Sequence, residues 1–81
     1  MNEILQERVR EVVATTFDVD PQQISAEASN QTVASWTSLG HLRLMANLEQ
    51  AFGVRFTMEE MTAMSSVQAI EGVLAARGVE A

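Results

Sequence analysis

The sequence predicts an all-α fold: a four-helix bundle of three main helices and one short helix, with a long loop between helices 1 and 2. Three observations predict it. Apolar residues recur at a period near 3.6 in three separate stretches. A glycine follows the second stretch, and Thr- and Ser-headed capping signals open the last two helices. The polar segment between the first two stretches carries the only proline.

The first helix is expected from about Asn2 to Phe17. Asn2 suits an N-cap, and Glu3 meets the positive end of the helix dipole. Ile4, Leu5, Val9, Val12, Val13 and Phe17 fall along one face, with Glu3, Glu7, Arg10 and Glu11 on the other. Asp18 to Trp36 reads as loop. Asp20-Pro21 is a turn signal, and Ser25, Ser29, Asn30 and Gln31 favour local side-chain bonding over helix. So long a connection needs anchors. Ile24, Ala28, Val33 and Trp36 are spaced to dip into the core, and a short helical turn is expected over Pro21 to Ile24.

The second helix starts near Ser38 and ends at Phe52. Leu39, Leu42, Met45, Leu48 and Phe52 form its apolar stripe, with Leu44 beside it, and Gly53 sits where a left-handed cap is wanted. Val54-Arg55-Phe56 is an extended link. Thr57 and Glu60 make a capping box that opens a short helix to about Met64. A second cap begins the last helix, from about Ser66 to Arg77, with Val67, Ile70, Val73 and Leu74 inward. Arg77 suits the negative helix end and Gly78 stops it. The long loop implies that the first two helices run roughly antiparallel.

Composition bounds the function. The 81 residues suit one domain over 1–81, which buries only roughly 60% of the surface its unfolded chain exposes. That leaves little room for a walled enzyme cleft. The hydrophobic fraction of 47% excludes an acidic disordered tail. The absence of cysteine removes disulfides, thiolate metal sites and a cysteine nucleophile, and it fits a reducing cytoplasm. A net charge of −6, no lysine, and arginines scattered at positions 8, 10, 43, 55 and 77 argue against nucleic acid and anionic membranes as partners. The charged N-terminus is not that of a signal peptide, and no segment is long enough to span a membrane.

The residues around Ser38 carry the most information. Trp36-Thr37-Ser38-Leu39-Gly40-His41-Leu42, followed by Arg43 to Val54, resembles the attachment motif and second helix of the acyl carrier protein family. Asp18 to Ile24 resembles the family's loop after the first helix, and Ser66 to Ile70 the start of its last helix. The resemblance spans nearly the whole chain. It implies a non-catalytic carrier with 4'-phosphopantetheine attached covalently to Ser38. It also implies a phosphopantetheinyl transferase, an acyl-loading ligase or acyltransferase, and downstream synthase enzymes as partners. The departure is Thr37, where most fatty-acid carriers have Asp; Thr keeps the N-cap chemistry and loses a negative charge.

Physical chemistry supports that position. A serine in the first turn of a helix can point its hydroxyl to solvent, and the unpaired amides and positive dipole there favour a phosphodiester. The plain alternative is an ordinary first-turn serine. Gly40 is expected to leave space for the arm. His41, three residues on, is expected to be an exposed histidine touching the arm or a partner. A Ser38–His41 nucleophile pair ranks last, because it lacks an orienting acid and an oxyanion site. One histidine without cysteines makes no zinc site. Glu59 and Glu60, adjacent on a helix, point apart and serve capping.

Thr37, Leu39, His41, Leu42 and Arg43 are the expected arm and partner contacts. Met58, Met61 and Met64 follow each other at three-residue spacing. Core filling is their plain reading; in the resembling family the short helix borders the space for an acyl chain, which adds Leu42, Met45 and Phe56 as pocket candidates. The outer face of the second helix is nearly neutral, with Arg43 where resembling carriers usually have Glu. This implies a dedicated partner set, in a specialised fatty-acid, polyketide or other secondary-metabolite pathway, and a monomer. An aminoacyl or peptidyl carrier and an unmodified helical interaction module are the other readings.

Overall fold

A computed structural model describes residues 3–25 and 27–79. In it the helical periods become α1 (Glu3–Phe17), α2 (Ser38–Phe52), α3 (Met58–Ala63) and α4 (Val67–Ala76), with a 3-10 turn over Pro21–Gln23. The expected cap at Asn2 lies outside the described residues. Among those described, β-pairing is limited to one isolated antiparallel bridge between Ser29 and Ser66. α1 packs on α2, on α4 and on the 3-10 turn.

Each boundary has a local cause. Asp20 caps the 3-10 turn by accepting from the Gln22 amide at 2.9 Å. Thr37 caps α2, and Gly53 ends it at φ 66°, a left-handed conformation that glycine adopts at little cost. The capping box at α3 is complete: Glu60 N–H donates to Thr57 Oγ1, and Thr57 N–H donates to Glu60 Oε1. The bond from the Thr57 amide, aided by the Arg77 guanidinium and opposed by some burial, holds the Glu60 carboxyl below the usual glutamate range. Ser66 caps α4, and Gly78 follows it at φ 80°. Arg77 does more than face the end of its own helix: it pairs with Glu60 at 2.9 Å and donates to the Arg55 carbonyl, tying α4 to α3 and to the link before it.

The loop from α1 to α2 is a succession of closed turns. Ser29 O accepts from Thr32 and Val33 amides, and Trp36 N–H donates to Val33 O. Two further bonds, Asn30 N–H to Ser65 O and Val67 N–H to Ala28 O, join the loop to the start of α4. Ile24, Ala28 and Trp36 are buried and Val33 half-buried, so the expected anchors hold.

The core comprises Val9 and Val13 of α1, Leu44, Met45 and Leu48 of α2, Met64, and Val67, Ile70 and Leu74 of α4. Each such side chain contributes roughly 1.5–3 kcal/mol by leaving water. The expected faces need two corrections. Ile4 is 62% exposed, because five residues before Val9 it lies well off the Leu5–Val9–Val13 face. Leu39 and Leu42 are 68% and 62% exposed. Leu39 precedes Leu48 by nine residues, about two and a half turns, and so points the opposite way.

Polar groups complete the packing. Thr16, seven residues after Val9, is buried on the core face of α1. Its hydroxyl donates to Val12 O at 2.7 Å and accepts from Asn47 Nδ2 at 2.9 Å. Arg8 donates to the Ala51 carbonyl at 3.0 Å and lies 4.6 Å over the Phe52 ring, a contact worth about 0.5–1 kcal/mol. Glu71 of α4 is buried, and burial pushes its carboxyl above the usual range while Arg10 pulls it down.

Candidate functional site: the head of the second helix

Ser38 is the first residue of α2 and is exposed. Its position is set by Thr37, whose backbone is extended, whose Oγ1 accepts from Gly40 N–H at 3.2 Å and whose carbonyl accepts from His41 N–H at 2.7 Å. Thr37 N–H donates to Ser35 O at 2.9 Å, which fixes the chain entering the helix. Ser38 therefore stands on a capped, hydrogen-bonded first turn at the positive helix end.

Gly40 is not the open space the sequence suggested. It is buried, and an added Cβ would fall 2.5 Å from Ser35 O and 2.9 Å from Phe17 Cε1. The glycine lets the head of α2 sit directly on the preceding turn and on α1. The cause is nonlocal, so nothing near Gly40 in the sequence announced it.

His41 is also corrected: it is half-buried, on the core side of α2. It precedes Leu48 by seven residues, about two turns, and so shares its face. Trp36 Nε1, which can only donate, gives its hydrogen to His41 Nδ1 at 2.9 Å. That assigns the ring proton to Nε2, which donates to the Met61 carbonyl at 2.7 Å. The two rings stack at 6.2 Å and 18°, and the indole stacks in turn on Phe17 at 5.5 Å. Neither imidazole nitrogen is left to accept the Ser38 proton.

A hollow of about 580 Å³ opens beside Ser38. Thr37, His41 and Leu42 line it from the head of α2, and Asn30 and Trp36 from the loop. Thr62 and Ser65 close the far side. Among the expected arm contacts, Thr37, His41 and Leu42 thus share one wall with the serine. Leu39 and Arg43 lie on the other side of Thr37, along a smaller groove of about 260 Å³ with Asp18 and Ser35. Of the pocket candidates, Leu42 faces the hollow, while Met45, Phe56 and Met64 are buried in the core. Met61 is half-buried and Met58 is 80% exposed. Sequence reasoning missed Asn30, Thr62 and Ser65, which sit in a loop and at a helix end and meet only through the fold. Among the described residues no group of His, Asp and Glu can hold a metal ion.

Residues 7–74 match the family described as the phosphopantetheine attachment site. The chain belongs to the acyl carrier protein family. It is 37% identical over 67 residues to the acyl carrier protein of Thermosynechococcus vestitus, covering 83% of this chain and 82% of that one. It is 32% identical over 62 residues to the Polyketide-8 synthase acyl carrier protein 2 of Streptomyces avermitilis, covering 76% of this chain and 71% of that one. Acyl carrier proteins are non-catalytic; they bear phosphopantetheine on a serine and work with phosphopantetheinyl transferases and synthase enzymes. The all-α architecture of this carrier agrees with that membership. No helix of the described residues is long and apolar enough to cross a membrane.

Proposed function

We propose that residues 1–81 form a single carrier domain that bears 4'-phosphopantetheine on Ser38. It serves a specialised fatty-acid, polyketide or other secondary-metabolite pathway in the cytoplasm, as a monomer. The observation that carries the reading is the exposed Ser38 at the head of α2, beside a hollow. Attachment balances simply. Ser38 Oγ attacks the pyrophosphate of coenzyme A. The Oγ–P bond forms as the bond to the adenosine bisphosphate leaving group breaks, and the hydroxyl proton passes to the transferase or solvent. The residues present fit the product. A phosphodiester on Ser38 would meet the positive helix end, with no carboxylate at position 37 to repel it. When bound, the group supplies a terminal thiol that carries an acyl chain as a thioester.

The neutral face of α2 supports a dedicated partner set. Arg43, Asn47, Gln50 and Ala51 are exposed, and Glu49 spends one carboxylate oxygen on Phe56 N–H at 2.8 Å. Such a face gives a basic enzyme surface little to steer on. The similarity to a polyketide synthase carrier points the same way. The test is intact mass after incubation with coenzyme A and a broad-specificity phosphopantetheinyl transferase. One phosphopantetheine should be gained by the native chain and none by Ser38→Ala. A gain that persists in the variant, or no gain with several transferases, would overturn the assignment.

A further inference from the structure

We propose that the groove between α1 and the C-terminal half of α2 is a docking surface for a basic amphipathic helix of a partner protein, which holds the carrier there and leaves Ser38 uncovered.

The negative charge that the outer face of α2 lacks is gathered on α1. Glu3, Glu7 and Glu11 are exposed and follow one another at four-residue steps, so they stand in a row about 6 Å apart along the helix. Like charges at that step work against the helix that bears them. Among the described residues the ion pair is Arg77 with Glu60, so the row is not neutralised from within. The arginines of α1 are engaged elsewhere: Arg8 with the Ala51 carbonyl and the Phe52 ring, and Arg10 with the Glu71 carboxyl. Arg43 lines the other groove, with Asp18.

Beside the row lies an open groove of about 410 Å³. Glu11, Val12 and Thr15 of α1 form one wall, and Asn47, Gln50 and Ala51 of α2 form the other. Its surface is mostly apolar, with Val12 half-buried and Ala51 exposed. Ile4, 62% exposed, precedes Glu7 by three residues and Glu11 by seven, and so lies on the same side of α1.

An apolar groove with carboxylates along one rim calls for apolar side chains flanked by cations. A helix with aliphatic residues on one face and lysine or arginine beside them supplies both. A second copy of this chain does not, because a symmetric pairing through this face brings the same carboxylates together. The position of the groove adds a functional consequence. Asn47 and Ala51 follow Ser38 by nine and thirteen residues, roughly 14 and 20 Å along the helix axis. A helix seated there leaves the head of α2 open to the transferase and to enzymes acting on the cargo. The docking does not depend on what Ser38 bears.

The probe is a synthetic helical peptide with leucines on one face and lysines along its flank. It is titrated into the isotope-labelled chain at low salt, and backbone amide shifts are followed. A scrambled peptide of the same composition is the control. The Val12, Thr15, Asn47, Gln50 and Ala51 amides should move together and saturate, while those of Leu39, Leu42 and Met58 stay in place. Replacing both exposed acids, Glu7→Gln with Glu11→Gln, should weaken binding about fivefold by removing two surface charge contacts, and salt should erase that difference. Ala51→Gln, bulkier and uncharged, should weaken binding with the net charge unchanged. The chain saturated with peptide should still gain phosphopantetheine at the rate of the free chain. Equal binding of the scrambled peptide, shifts centred on Leu39, Leu42 and Met58, full affinity in either variant, or loading blocked by the peptide overturns the proposal. A chain that gains no phosphopantetheine with or without peptide overturns attachment at Ser38 alone, and the titration still decides the groove.

Discussion

Adding one methyl group at Gly40 tests the packing at the head of α2. An ideal Cβ there lies 2.5 Å from Ser35 O and 2.9 Å from Phe17 Cε1, with Thr37 Oγ1 at 3.5 Å. Carbon–oxygen contacts rest near 3.3–3.6 Å, so the methyl is roughly 1 Å too close to a backbone atom. Relief is restricted: Ser35 O accepts from Thr37 N–H, and the Phe17 ring stacks on Trp36. Overpacking costs about 1–3 kcal/mol, and the upper part of that range applies where backbone must move. Replacing glycine in a helix returns about 1 kcal/mol. Gly40→Ala should therefore destabilise by about 1–2 kcal/mol, lowering Tm by about 4–15 °C in a domain of this size. Gly72 in α4 is the control, because a Cβ there meets nothing within 4 Å. Gly72→Ala should stabilise by about 0.5–1 kcal/mol. Thermal melts and urea titrations followed by circular dichroism measure both, with an unchanged urea slope showing that the unfolded state is not responsible. If the two substitutions move stability in the same direction, the close approach at Gly40 is wrong.

Two further perturbations probe other parts of the molecule. The raised pKa of Glu71 means that the folded state holds its proton more tightly than the unfolded state, whose value is near 4.5. Its contribution is full below that value and is lost as pH rises through the folded value. Unfolding free energy of Glu71→Gln, measured from pH 4.5 toward neutrality, should gain steadily on that of the native chain; parallel curves would exclude the burial effect. Arg43→Glu, on the exposed face of α2, should raise the rate of acyl transfer to a basic synthase surface several-fold at low salt and lose that gain as salt screens it. An unchanged rate at low salt would count against the neutral-face argument.

The parts of the fold written in neighbouring residues were legible. Thr57 with Glu60, Ser66 before Val67, and Gly53 after Phe52 each complete their bonds within a few residues, so a sequence pattern is enough to find them. The rotation of α2 was harder to see. Leu39 and Leu42 are apolar but exposed at the head of the helix, and counting them as core turned the predicted stripe away from the Leu44–Met45–Leu48 face. The seven-residue step from His41 to Leu48 was the available signal that the histidine faces inward. Its partner across the seam, the Met61 carbonyl, is a backbone atom twenty residues on, and no residue type advertises it. Glu71 was hidden for a similar reason: it is buried by the folded packing, with Arg10 of α1 as its charge partner, and nothing beside it in the sequence says so.

The clamp of Arg8 on Ala51 and Phe52 has a mechanical consequence. It pins the far end of α2 to α1, as the Asn47–Thr16 bond pins its middle and the close approach of Gly40 to Phe17 its head. Fourteen residues of helix, about 21 Å, separate Phe52 from Ser38. Held at three points along that length, the helix passes a visiting enzyme's push on to α1, and the serine at its tip keeps its place.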